Sequence, residues 1–143
     1  MVVIMRMLTS LIHNREFIML GNNNALANIA VKNLEISIKF YEDILELEKI
    51  DSVGEEIMVY RCGIFAIIVY QLQYAGTNKA TCATWIVGKD IDILVKDLKS
   101  KGVKFEHYDL PNTSLKDDIY FDGDMKAAWF KDPDGNILNI INQ

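Results

Sequence analysis

One pattern is written twice in this chain: a strand, a capped helix, then three strands. That duplication constrains the fold more than any single residue does. In the first copy residues 25–31 are strand-like, Asn33 is placed to cap a helix, and Glu35 in the first turn complements the helix dipole. Leu34, Ile38, Tyr41 and Leu45 recur at steps of four, three and four, one apolar stripe on a helix. Residues 48–53, 56–61 and 64–72 read as strands punctuated by Gly54 and Gly63, and 74–79 as a linker around Gly76, Thr77 and Asn78. The pattern then restarts with a strand over 81–87, Asp90 as N-cap, a stripe of Ile91, Val95 and Leu98, and Gly102 as the helix stop. Strand-like runs at 103–110, 124–131 and 136–141 complete it, with a polar loop at 111–123. The copies superpose at a fixed offset of 57, Asn33 on Asp90, Leu34 on Ile91, Ile38 on Val95 and Tyr41 on Leu98.

Each copy alone has a sheet face that it cannot bury. The expectation is therefore an α+β fold: tandem βαβββ halves, 25–75 and 80–143, in one domain over 25–143, forming a curved mixed sheet with helices on its outer side. Residues 1–24 read as an N-terminal appendage. The chain's 143 residues, half of them apolar, suffice for such a core. A net charge of -5 without any Lys/Arg block argues against nucleic acid or an anionic membrane as partner. Residues 1–12 are apolar but interrupted by Arg6, too short to span a bilayer and wrongly charged for a signal peptide. Cys62 and Cys82, in no CxxC spacing, read as free thiols of a reducing cytoplasm.

Near the end of the second copy stands Asp132-Pro133-Asp134-Gly135-Asn136. Pro133 pre-sets φ, and Gly135 can take the φ > 0 conformation that closes a hairpin. A calcium loop is excluded, because the further acidic ligands and distal Glu of an EF-hand are missing. His107 and Glu106 are neighbours in a strand and point to opposite faces, so His107 reads as a surface histidine. Asp117, Asp118, Asp122 and Asp124 read as a solvated acidic loop.

Two paired βαβββ units, with Phe40-Tyr41-Glu42-Asp43-Ile44-Leu45 in the first helix and Asp132-Pro133-Asp134-Gly135-Asn136 before the last strand, resemble the vicinal oxygen chelate superfamily. That group holds glyoxalases, extradiol dioxygenases, fosfomycin-resistance enzymes and bleomycin-binding proteins. In its metal-dependent members the resemblance implies one ligand from the first and one from the last strand of each half. The first lies seven residues before the N-cap, the second four after the turn glycine. Here those positions are Leu26, Ile67, Ala83 and Asn139. Three have no lone pair to offer, and Asn is a poor ligand for zinc or iron, so no metal and no cofactor is expected.

Period two places Asn28 on the face of Leu26 and Trp85 on the face of Ala83. With Ile67, Trp129 and Asn139 these residues would line an apolar cavity carrying a few polar groups, as small-molecule sites do. The leading expectation is a metal-free protein of the glyoxalase/bleomycin-resistance type that binds an apolar or aromatic small molecule, with no catalytic residues. The alternatives are an enzyme of the superfamily with a non-standard site, and a degenerate dimerisation domain without ligand. The resemblance also implies a homodimer.

Overall fold

The computed structural model describes Leu20 and residues 24–143; the remainder of the expected appendage lies outside the described residues. The first half runs β1 (Ala27–Val31), helix α1 (34–44), β2 (Lys49–Val53), β3 (Ile57–Cys62) and β4 (Phe65–Gln71). The second runs β5 (Thr81–Ile86), a 3-10 turn (Gly88–Asp90), α2 (Ile91–Ser100), β6 (Phe105–Glu106), β7 (Ser114–Lys116), β8 (Ile119–Asp122), β9 (Met125–Lys131) and β10 (Ile137–Ile141). The tandem α+β architecture is thus present. Its strands hydrogen-bond as a four-stranded sheet, β1-β4-β3-β2, and a six-stranded one, β5-β10-β9-β8-β7 with β6 on β9. In each half the first strand lies parallel to the last, β1 on β4 and β5 on β10.

Helix α1 begins as expected, with the Asn33 side chain accepting from Ile36 N at 3.1 Å. It departs from the simple stripe after one turn, since Leu34–Ile38 is α-helical and Lys39–Ile44 is π-helical. The bond from Leu45 N to Phe40 O, 2.9 Å, spans five residues and inserts an extra one into the turn. Consecutive residues Phe40 and Tyr41 can therefore both face inward, and both are buried. Ile38 and Leu45 of the expected stripe pack against the core, and Ser37 beside Ile38 is fully buried, its hydroxyl donating to Asn33 O at 2.9 Å. Asp90 precedes α2 as expected but its side chain makes no capping bond, because the 3-10 turn already leads into the helix.

One core joins the halves. Ile29, Tyr60 and Val69 of the first sheet, Ala128, Phe130 and Leu138 of the second, and Tyr41 and Val95 of the helices belong to a single buried cluster. Its polar centre is Asp132, 4 % exposed. The Asp132 carboxylate accepts from Tyr41 Oη (2.8 Å), Asn136 Nδ2 (2.8 Å), Asn136 N (2.9 Å) and Asp134 N (3.0 Å). Asn136 Nδ2 also donates to Ala30 O at 2.8 Å. The helix motif and the turn motif of the sequence are thus two ends of one hydrogen-bond network. It ties the first helix and first strand to the last hairpin.

The second half differs most from expectation at 103–123. Only Phe105–Glu106 of the expected strand 103–110 is strand, and the expected polar loop contains the β7–β8 hairpin. Asp117 and Asp118 both have positive φ, 51° and 69°, in its two-residue turn. Asp118 is not a freely solvated acid: it pairs with Lys99 of α2, and its Oδ1 lies 2.7 Å from His107 Nε2. These two partners hold its carboxyl below the usual range, Lys99 having the larger effect. A carboxyl depressed in the folded state contributes stability above its unfolded pKa of about 3.9, and loses it as pH falls through the folded value. Asp118→Asn should therefore cost no more than about 1 kcal/mol at neutral pH, since both partners are half-exposed and screened. Denaturant melts of the two proteins should converge below pH 3; a gap that persists there would contradict this account.

Candidate functional site

The sheet face turned away from the core is decided strand by strand. In the first half Asn28 pairs with Ile68, while Ala27 and Ile67 pair on the opposite face. Ile67 also lies opposite Tyr60, whose ring stacks on Tyr41 of α1 at 5.9 Å. The expected position Ile67 therefore belongs to the helix-facing core, 6 % exposed, and Ile68 takes the outward place. Asn28 is exposed and donates to Leu26 O at 3.3 Å. It lines a cavity of about 270 Å³ with Tyr70, Cys82, Asn136 and the linker residues Tyr74 and Asn78.

In the second half the expected face is reversed for Ala83 and Trp85. They pair with Leu138 and Ile140, both core residues. Trp85 packs in an apolar groove with Leu45, Leu94, Leu98 and Phe130, on the helix side. Two local features displace the count from the repeat. Four residues separate β5 from α2 where two separate β1 from α1, because the 3-10 turn is inserted. A bulge between Ile137 and Leu138 then skips Cys82, whose thiol donates to Ile137 O at 3.3 Å, so Thr81 and Ala83 face opposite ways. Trp85 does share a face with Ala83, but it is the face opposite to that of Asn139.

Trp129 and Asn139 do meet, as direct cross-strand neighbours of β9 and β10. Around them lies an aromatic group that no local sequence pattern marks. Tyr108 and Tyr120 both contact the Trp129 ring edge-on, at 6.0 and 5.4 Å between centroids. Trp129 Nε1 donates to Thr81 Oγ1 at 3.2 Å, and Tyr120 Oη donates to Tyr108 O at 2.8 Å. Lys131 Nζ reaches Glu106 at 3.0 Å on the same side. Two polar atoms here are buried without a hydrogen-bond partner among the described residues, Asn139 Oδ1 and the Tyr108 hydroxyl. Burial, and next the nearby Glu106, push the Tyr108 phenol up, so at neutral pH it is a protonated donor.

Metal does not fit this face. The outward positions Leu26, Ile68, Thr81 and Asn139 offer no His, Cys or carboxylate. Among the described residues no group of three or more His, Cys, Asp or Glu is placed to hold an ion. Cys62 and Cys82 are free, and burial pushes both thiols up, which disfavours the nucleophilic thiolate. Glu106 and His107 engage Lys131 and Asp118 respectively and do not act together. No described helix is long and apolar enough to cross a membrane.

A mixed α+β tandem repeat with this turn network defines a class of fold, and comparison supplies the family. The chain belongs to the glyoxalase/bleomycin resistance protein/dioxygenase superfamily, whose family model matches residues 24–140. Among solved structures it is similar to an integron cassette protein from the mobile metagenome of the Halifax Harbour sewage outfall. That match has 23 % identity, 85 % of this chain and 100 % of the other covered, and a TM-score of 0.60. It is also similar to the fosfomycin resistance protein FosX of Listeria monocytogenes, with 15 % identity, 83 % and 91 % covered, and a TM-score of 0.63. A third is a putative glyoxalase family protein from Bacillus anthracis, with 19 % identity, 83 % and 94 % covered, and a TM-score of 0.62. At these identities the likeness is one of fold. No curated protein sequence matches the chain.

Proposed function

We propose that this protein is a metal-free binding protein that sequesters a small, largely apolar or aromatic molecule on the face built by Trp129, Tyr108, Tyr120 and Asn139. The observation that carries the reading is the pair of buried, partnerless atoms, Asn139 Oδ1 and Tyr108 Oη, beside a tryptophan. An acceptor and a donor next to an indole suit a planar ligand that carries both a donor and an acceptor. Leaving such groups unsatisfied costs roughly 1–3 kcal/mol each, which a ligand pairing with them would recover. Edge or face contact with Trp129 would add about 1 kcal/mol. Asn28 lines the separate cavity under the linker and extends the polar surface available to a ligand on the first sheet. The homodimer and the cytoplasmic setting expected from the sequence belong to the same reading.

The test is a fluorescence titration with a panel of planar aromatic amides and phenols. Trp129→Phe should remove the ligand-dependent signal. Asn139→Leu should weaken binding about tenfold, or 1.4 kcal/mol, while Trp85→Phe should leave the affinity unchanged. If Trp85→Phe weakens binding and Asn139→Leu does not, the site has been placed on the wrong face. One equivalent of transition metal in the purified protein would overturn the reading outright.

A further inference from the structure

A cavity of about 270 Å³ lies beneath the linker that joins the two halves. At about 30 Å³ for each water it has the volume of about nine water molecules, room for a small ring system. Its roof is fixed. Thr77 Oγ1 donates to Tyr74 O at 2.9 Å, Ala75 N donates to Leu72 O at 3.2 Å, and Ala75 itself is buried. A roof held in this way needs little ordering when a ligand enters.

The lining has a definite chemistry. Tyr70 and Tyr74 contribute phenol rings, and Asn28, Asn78 and Asn136 contribute carboxamides. Asn28 Nδ2 donates to Leu26 O at 3.3 Å, which leaves Oδ1 as an acceptor. Asn78 is reversed: its Oδ1 accepts from Ala80 N at 3.0 Å, which leaves Nδ2 as a donor. Asn136 is committed to Asp132 and Ala30 and serves the fold. Among the described residues no charged side chain lines the cavity, in a chain of which 24 % is charged. A phosphate or carboxylate would therefore lose its water there without meeting a cation.

We infer that this cavity is a second ligand site, taking a flat, uncharged heterocycle of the purine-base class. Such a base presents an amino donor next to a ring-nitrogen acceptor, the pattern that carboxamides pair with, and its faces stack on aromatic side chains. Asn28 and Asn78 supply the acceptor and the donor, and the two tyrosines supply the rings. The site is distinct from the Trp129 face and does not depend on a ligand there.

Protection of Cys82, whose thiol lines the same cavity, reports occupancy directly. In the full chain carrying Cys62→Ser, adenine at about nine times its Kd should slow iodoacetamide alkylation of Cys82 about tenfold, since only the empty fraction reacts. Asn28 and Tyr74 are exposed, so replacing them leaves the core intact. Asn28→Ala and Tyr74→Ala should each raise the adenine concentration for half-protection about tenfold. Unsubstituted purine, which lacks the amino donor, should likewise need about tenfold more than adenine. Trp129→Phe should change nothing, which separates this site from the Trp129 face. No protection by adenine at about 10 mM would overturn the proposal. Protection that survives Asn28→Ala and Tyr74→Ala but is lost in Trp129→Phe would overturn it as well. Adenosine monophosphate protecting at lower concentration than adenine would overturn the assignment to an uncharged ligand.

Discussion

Asp132→Ala should lower the melting temperature by more than about 10 °C, from a loss on the order of 3–5 kcal/mol. The alanine leaves four donors, Tyr41 Oη, Asn136 Nδ2, Asn136 N and Asp134 N, without their acceptor in the middle of the core. Tyr41 is fully buried and cannot turn to water. Asp132→Asn should lose less, because its carbonyl still accepts while only its amide opposes the donors. The pH dependence separates charge from shape. Burial pushes the Asp132 carboxyl above its usual range even against those donors. A raised folded pKa means that stability falls as pH rises from about 3.9 through the folded value. The advantage of the unsubstituted protein over Asp132→Asn should therefore be greatest in acid and narrow toward neutrality. An advantage that grows with pH would show that the four donors outweigh burial.

Both halves of that network were visible in the sequence as motifs, but their contact was not. Tyr41 and Asp132 are 91 residues apart, and nothing local to either one names the other. The turn itself was legible, since Pro133 and Gly135 restrict the backbone directly, and Gly135 does take a φ of 90°. The repeat was legible for the same kind of reason: apolar stripes and caps are local, and the elements they specify appear in both halves.

The site was harder because facing is a cumulative count. In the first half β1 is regular, and Asn28, two residues from Leu26, is exposed opposite Ile68. In the second, the 3-10 turn at Gly88–Asp90 and the bulge at Cys82 each altered the count, and Ala83 and Trp85 turned inward. Gly88, with a φ of 56°, was the available signal for the inserted turn. Ile67 was misplaced by one residue, which in a strand reverses the face. Tyr120 lies in a hairpin whose Asp117-Asp118 turn lacks the usual Asn-Gly or Asp-Gly signature, and Tyr108 stands shortly before it, so no local pattern marks either residue. Trp129 and Asn139 stand side by side because β9 and β10 pair without irregularity.

Gly76→Ala is the other substitution expected to have a large effect, and it concerns the linker between the halves. Gly76 has a φ of 72°, where an L residue is already strained. A Cβ there would stand 1.9 Å from the carbonyl oxygen of Asp134, a backbone atom that cannot rotate aside. Ala75 beside it is 1 % exposed, so the linker is packed against the turn. The substitution must push apart either the linker or the turn that positions Asp132. We expect a loss of about 2–4 kcal/mol, with the cavity shared by Asn28, Tyr70 and Cys82 opening to solvent. Faster alkylation of the half-buried Cys82 thiol would report that opening, measured in a Cys62→Ser background. Because Gly76 and Asp132 act on one turn, their losses should not add: the double substitution should fall short of the sum by 0.5 kcal/mol or more. Full additivity would mean that the linker is held by something other than the turn.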